Sequence, residues 1–211
     1  MSRFFLAVLV LLSLTCFGVA DDDAINEDMI SSGSASSPQA IEKANNLDKQ
    51  SYMGLEDVFL DTKTIAPNGK YMLLVFGKNG CSYCELLKQD IKKHNTLKDF
   101  IKANYSAYYI NISYSKMHNF RVGGAHKNKE FKLPTFELAS IYDVSSTPTI
   151  VFANPDGKTI YELPGYMPYK QFLAVLEFVG KGLYKGIKDD KEFTNKLRAY
   201  ILKRTRELNA A

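Results

Sequence analysis

Two of the three cysteines stand in the run Cys81-Ser82-Tyr83-Cys84. A pair at this spacing can exchange disulfides, share a metal ion or staple a turn, and its setting separates these uses. The apolar run Tyr71-Met72-Leu73-Leu74-Val75-Phe76, ending at Gly77, reads as a strand buried on both faces. From Cys81 to Lys93 the spacing turns helical, with Cys84, Leu87 and Ile91 on one face. A C-x-x-C that leaves a buried strand and opens a helix is in the setting of a redox motif. Unpaired N–H groups at a helix start favour negative charge, so the Cys81 thiol is expected below its ordinary pKa of about 8.5. Cys84, one turn in and turned toward the core, is expected to stay a thiol until used. That asymmetry defines thiol-disulfide exchange: Cys81 attacks a disulfide and forms a mixed disulfide, and Cys84 then resolves it.

The other uses have weaker support. A structural staple would close a very short loop and contribute less than the roughly 3 kcal/mol of a 15-residue loop. A structural zinc site needs four ligands, yet there is no second C-x-x-C, and His94 completes no recognised spacing. His118 and His126, in a polar stretch, are too little by themselves for a metal site. Glu85, beside the motif, either raises the Cys81 pKa or is simply solvated on the helix surface.

Thr147-Pro148 is the second chemical feature. A proline is tolerated as the first residue of a strand, and a cis peptide there would present the neighbouring backbone to a ligand; a trans loop proline is the alternative.

These residues need elements to hold them. After the strand and helix around the motif come a second helical stretch (Leu97, Phe100, Ile101) and a strand over 107–112. Residues 113–134 read as irregular and polar, with Lys116, Arg121, Lys127, Lys129 and Lys132 against Glu130 alone. The stretch is expected to be a solvated excursion, or else to border a substrate groove and select a partner. A short helix over 135–142 precedes strands at 149–153 and 159–163, joined by Asn154-Pro155-Asp156-Gly157, a hairpin signal. A helix after Pro168 carries Phe172, Val175, Leu176 and Val179 on one stripe. The order predicts an α/β fold with a mixed central sheet and helices on both faces.

The chain divides into four expected parts. Residues 1–20 have a signal-peptide pattern: Arg3, an apolar run from Phe4 to Leu14, and Gly18-Val19-Ala20 before acidic residues. The run is short for a membrane span; a lipid anchor on Cys16 is a minor alternative, because Thr15 is large for that position. Residues 21–49, acidic and Ser-rich, are expected to be a flexible tether. Residues 50–183 form the domain, and 184–211 a C-terminal helical extension with Phe193, Leu197, Ile201 and Leu208 at helical spacing. The 211 residues are 45% hydrophobic and 24% charged with a net charge of +4, which argues against wholesale disorder and gives no sign of nucleic-acid binding.

Cys81-Ser82-Tyr83-Cys84, Thr147-Pro148 before a hairpin, and Gly165 together resemble the thioredoxin superfamily, nearest to exported thioredoxin-like proteins of the SoxW and DsbC-like type. Glu137-Leu138-Ala139 and Leu163-Pro164-Gly165-Tyr166-Met167-Pro168 are similar in kind. The resemblance covers about residues 50 to 183 and implies a thioredoxin fold. It implies that Cys81 and Cys84 are catalytic, with no cofactor or metal beyond their own redox-active disulfide. It also implies that Thr147 offers backbone hydrogen bonds to an extended client, that Pro148 sits against the sulfurs, and that Ser82, Tyr83 and Gly165 border the groove. Two departures stand out: Gly80 replaces the usual aromatic before the motif, and Val75 stands where a buried Asp is customary. A threonine before the proline resembles the reductase and isomerase branches. The expected protein is a monomeric periplasmic reductase or isomerase of exported clients, such as apocytochrome c or a sulfur-oxidation protein. Its electrons would come from a membrane donor of the DsbD or CcdA kind. A copper-holding module on the same fold is the competing reading.

Overall fold

The computed structural model describes residues 37–122 and 129–210. The expected signal peptide, Cys16, residues 21–36 of the expected tether, Lys127 and His126 lie outside the described residues. In chain order the elements are α1 (Pro38–Gln50), β1 (Phe59–Leu60), β2 (Thr64–Ile65), β3 (Tyr71–Gly77), α2 (Ser82–Lys93), α3 (Asn95–Asn104) and β4 (Tyr105–Asn111). They continue with β5 (Met117–Val122), β6 (Lys129–Pro134), α4 (Thr135–Ile141), β7 (Thr149–Ala153), β8 (Thr159–Pro164), α5 (Tyr169–Gly180) and α6 (Asp190–Ala210).

The central sheet has five strands in the order β1-β4-β3-β7-β8. β1, β4 and β3 run parallel, and β7 and β8 are antiparallel to their neighbours, which makes the sheet mixed. The unbroken apolar run of β3 is explained by its central place, because alternate side chains enter different cores. Leu73 and Val75 pack with Leu87, Ile91, Ile101, Phe172 and Val175 from α2, α3 and α5. Met72, Leu74 and Phe76 pack with Tyr108, Ile110, Leu138 and Tyr142 on the α4 face. Helices therefore cover both faces, and the chain has the thioredoxin fold. α6 completes it: Phe193 meets the rings of Tyr161 and Phe178, Leu197 is buried, and the Arg204 guanidinium grips the Glu177 carboxylate at 2.7 and 3.1 Å.

The structure differs from expectation in two segments. The C-terminal part of the expected tether is the helix α1, capped by Ser37, whose side chain accepts the Ala40 N–H at 3.2 Å, with Pro38 at the first helical position. Its polar composition hides a tertiary contact, since Asp48 is buried. The second segment is 113–134. Its described residues are mostly strand, because β5 and β6 pair with each other and β5 pairs with β2 in a separate three-stranded sheet. The alternation is real but inverted at one pair: His118 faces inward and Met117 is exposed, while Phe120 is buried and Arg121 exposed in the usual way. A polar residue on the buried face erased the pattern that signals a strand.

That buried face carries a closed polar network. Lys116 Nζ donates to Asp48 Oδ2 at 2.9 Å and to Thr62 Oγ1 at 2.8 Å, and the Thr62 hydroxyl donates to the same carboxylate. His118 Nδ1 lies 2.7 Å from the Thr62 carbonyl and Nε2 lies 3.0 Å from Thr135 Oγ1. A carbonyl can only accept, so Nδ1 carries a hydrogen. Burial, and secondarily Lys116, hold the His118 pKa below its ordinary value despite the Thr62 hydrogen bond. Two of the basic residues in 113–134 are thus engaged: Lys116 is buried in an ion pair, and Arg121 pairs with Glu130 at 2.6 Å across the hairpin.

Candidate functional site

The site is assembled at one end of the central sheet by strand register. β3 ends at Gly77, and its antiparallel partner β7 begins at Thr149 opposite Phe76. The loop leading out of β3 and the loop leading into β7 therefore meet. The first of these is fixed from β4: the Asn79 N–H donates to Ser113 Oγ at 3.0 Å, and the Asn111 amide donates to Asn79 Oδ1 at 2.9 Å. Gly80 turns the chain with φ 68°, a conformation glycine adopts without strain, and delivers Cys81 to the start of α2.

Cys81 is the N-cap of α2, and its Sγ accepts the Cys84 backbone N–H at 3.1 Å. The sulfur thus occupies the place where a serine or aspartate oxygen would cap a helix, facing the positive end of the dipole. The two cysteines are disulfide-bonded, with Cα atoms 5.2 Å apart. Their exposure is unequal: Cys81 keeps 7% of its surface and Cys84 none. Cys84 lies on the inward stripe with Leu87 and Ile91, which are also buried.

The Thr147 backbone stands against Cys81. The Thr147 carbonyl oxygen lies 3.4 Å from Cys81 Sγ, and the Thr147–Pro148 peptide is cis. Gly165, at φ 89°, donates its N–H to the Pro148 carbonyl at 2.7 Å, which ties the end of β8 to the same loop. Cys81, Cys84, Thr147, Pro148 and Gly165 are thereby linked by direct contacts. Ser82 and Tyr83 are exposed on the first turn of α2, with the Tyr83 ring stacked on Tyr166.

The remaining chemical residues fall elsewhere. Val75 is buried between Tyr109 and Ile150 on the neighbouring strands, so β3 offers no carboxylate at that position. Glu85 pairs with Lys88 Nζ at 2.7 Å and its carboxylate is mostly exposed, the solvated alternative. His94 caps α2 and lies flat on Tyr169, ring centroids 3.5 Å apart. Among the described residues no three His, Cys, Asp or Glu side chains are grouped to hold a metal ion. No helix among them is long and apolar enough to cross a membrane. Sequence reasoning missed Tyr166 and Asp90, which are joined by a hydrogen bond from the Tyr166 hydroxyl to Asp90 Oδ2 at 2.7 Å. The only signal was the place of Tyr166 directly after Gly165.

The thioredoxin-like domain family matches residues 58–180. A thioredoxin-fold protein of Helicobacter pylori is 63% identical, covering 75% of this chain and 99% of its own, with a TM-score of 0.74. A thioredoxin of Thermus thermophilus is 22% identical over 56% of this chain and 82% of its own, at a TM-score of 0.41. No curated protein sequence matches this one.

Proposed function

Since this chain belongs to the thioredoxin-like domain family and carries a bonded C-x-x-C pair, we propose that it is a protein-disulfide reductase with some isomerase activity, working on exported clients in the periplasm. The observation that carries the reading is the geometry around one sulfur. Cys81 Sγ caps α2, faces the Thr147 carbonyl, and is the accessible member of the pair.

In the reduced protein the Cys81 thiolate attacks one sulfur of a client disulfide. A Cys81–client bond forms, the client S–S bond breaks, and the released client thiolate takes up a proton. The Cys84 thiol then gives up its proton and attacks Cys81 Sγ. The Cys81–Cys84 bond forms and the second client thiolate leaves, so the client gains two electrons and the protein loses them. The Cys84 N–H favours negative charge on Cys81 in the reduced protein, before it attacks the client. The backbone of Thr147 offers hydrogen bonds to an extended client, which aligns its disulfide over Cys81. Regeneration needs a dithiol donor, for which a membrane protein of the DsbD or CcdA kind is the fitting class in an oxidising compartment. Export is supported by the signal-peptide pattern of residues 1–20. Apocytochrome c and sulfur-oxidation proteins are client classes suggested by the superfamily resemblance.

The test is insulin reduction driven by dithiothreitol. Acceleration by the wild type and none by Cys81→Ser is expected, while Cys84→Ser should accumulate mixed disulfides with clients in cells. A wild type without activity that instead binds copper tightly at one per chain overturns the reading.

A further inference from the structure

One run of side chains beside the groove is left unused by the exchange chemistry. Tyr83, within the motif, is 58% exposed, yet its ring is stacked on Tyr166 with centroids 6.1 Å apart and planes 20° from parallel. Tyr166 follows Gly165, whose N–H holds the Pro148 carbonyl. Its hydroxyl donates at 2.7 Å to Asp90 on α2, the helix that begins at the reactive cysteine. The other Asp90 oxygen faces His94 Nε2 at 4.0 Å, and the His94 ring lies on Tyr169 at the start of α5. The segment between β8 and α5 is therefore tied to α2 by side chains and to the Thr147–Pro148 loop by backbone.

We infer that Asp90 is a positioning residue that acts through Tyr166 to fix Tyr83 as an aromatic wall of the client groove, and that this wall favours clients with a large apolar or aromatic side chain next to the reactive cysteine. The inference rests on the exchange reading above and adds the class of client. An exposed tyrosine has little packing to hold its rotamer, so a client that packs on it must also bear the entropy of ordering it. A ring beneath it, itself held by a hydrogen bond to a charged acceptor, removes part of that cost. Burial, and then Asp90, push the Tyr166 hydroxyl up to about 12, so it stays protonated and keeps donating. The chain has no tryptophan and places Gly80 just before the motif, so Tyr83 and Tyr166 supply the aromatic surface on this side of Cys81. Contact between an aromatic client side chain and this wall should tighten binding about threefold to tenfold.

The experiment follows reduction of three disulfides by the full chain with dithiothreitol as electron source. One is a peptide disulfide with Phe beside the cysteine, one the same peptide with Asp there, and one hydroxyethyl disulfide, too small to reach the wall. The wild type should show a KM about threefold to tenfold lower for the Phe peptide than for the Asp peptide. Asp90→Ala should raise the KM for the Phe peptide to that of the Asp peptide, with kcat and the hydroxyethyl disulfide rate unchanged. Asp90→Asn still accepts the phenol hydrogen bond and should keep the preference. Tyr166→Phe breaks the same bond without altering α2 and should also lose it, which guards against misfolding of Asp90→Ala. Equal KM values in the wild type, or a preference that survives in both Asp90→Ala and Tyr166→Phe, overturn the inference. Reduction of hydroxyethyl disulfide without peptide preference sinks the inference alone. Failure on all three disulfides sinks the exchange reading as well.

Discussion

Cys81 and Lys116 are equally buried, each 7% exposed, and their surroundings treat them in opposite ways. Around Lys116 the ammonium finds Asp48 and Thr62, Thr62 finds Asp48, and His118 spans Thr62 and Thr135. Asp61 adds a second carboxylate 3.5 Å from the ammonium. Around Cys81 the sulfur is bonded to Cys84, receives one N–H and abuts one carbonyl, and it keeps an accessible edge. A buried charge whose partners are all in place locks elements together. A sulfur capped by an N–H on one side and accessible on the other is placed for exchange rather than for support. The first arrangement joins α1, the β1–β2 connection, β5 and the start of α4; the second is built on a helix cap and two loops.

The two regions should respond to substitution in opposite ways. The largest effect is expected at the sulfur: Cys81→Ser should reduce insulin-reduction activity to background. Reducing the disulfide should nevertheless change stability to urea by less than about 3 kcal/mol, because the closed loop is short. Lys116→Met should do the reverse. It strands Asp48 in the interior and should cost about 3–5 kcal/mol in urea unfolding, while specific activity per folded molecule holds. Adding Asp48→Leu to Lys116→Met should recover most of that loss, since an apolar pair replaces a charge pair. An undiminished deficit in the double variant would mean that the network contributes more than charge compensation.

Smaller effects sharpen the contrast. Gly80→Ala meets no atom within 4 Å of its new Cβ, so its cost is the left-handed backbone alone, about 1–2 kcal/mol. It falls on the loop that presents Cys81, so activity should fall along with stability. Ser37→Ala removes the cap of α1 and should cost about 1 kcal/mol without touching activity. His118 supplies a pH signature. Its folded-state pKa lies below the ordinary 6.5, so the unfolded chain binds the proton first. Stability is then full above about pH 6.5 and declines as pH falls from there toward the folded-state value. A His118→Asn variant should flatten that part of the urea-midpoint profile against pH. Glu177 adds a separate acid limb. Burial alone would raise its pKa, but the hydrogen bonds from Arg204 and Lys181 override it and hold it below 4.5. The stability it contributes is present above about pH 4.5 and lost as pH falls through its lowered folded-state pKa.

Much of the fold was legible because local patterns and tertiary contacts agreed. The β3 run, the Cys84–Leu87–Ile91 stripe, the Asn154–Gly157 turn and the Phe172–Val179 stripe each carry a local pattern that matches the observed element. The site was legible for a similar reason, since Cys81 and Cys84 stand three residues apart and their relation is local. What escaped was whatever joins distant residues through polar groups. Asp48 and Lys116 lie 68 positions apart, and neither announces a partner, because a charged residue at either position reads as solvated. The strand β5 was hidden for the same cause, and the link from Asp90 to Tyr166 spans 76 residues with no motif to mark it.

The amino-acid order thus determined, by itself, which sulfur begins a helix, which is sheltered one turn later, and the alternation that lays a mixed sheet between helical layers, because these follow from backbone periodicity and the unpaired groups at a helix end. Tertiary structure alone decided that the Thr147 carbonyl would stand beside Cys81, that Lys116 would be paired with Asp48 in the interior, and that Tyr166 would lie under Tyr83. Those are meetings of groups far apart in sequence, fixed by strand register and close packing, and no local propensity encodes them.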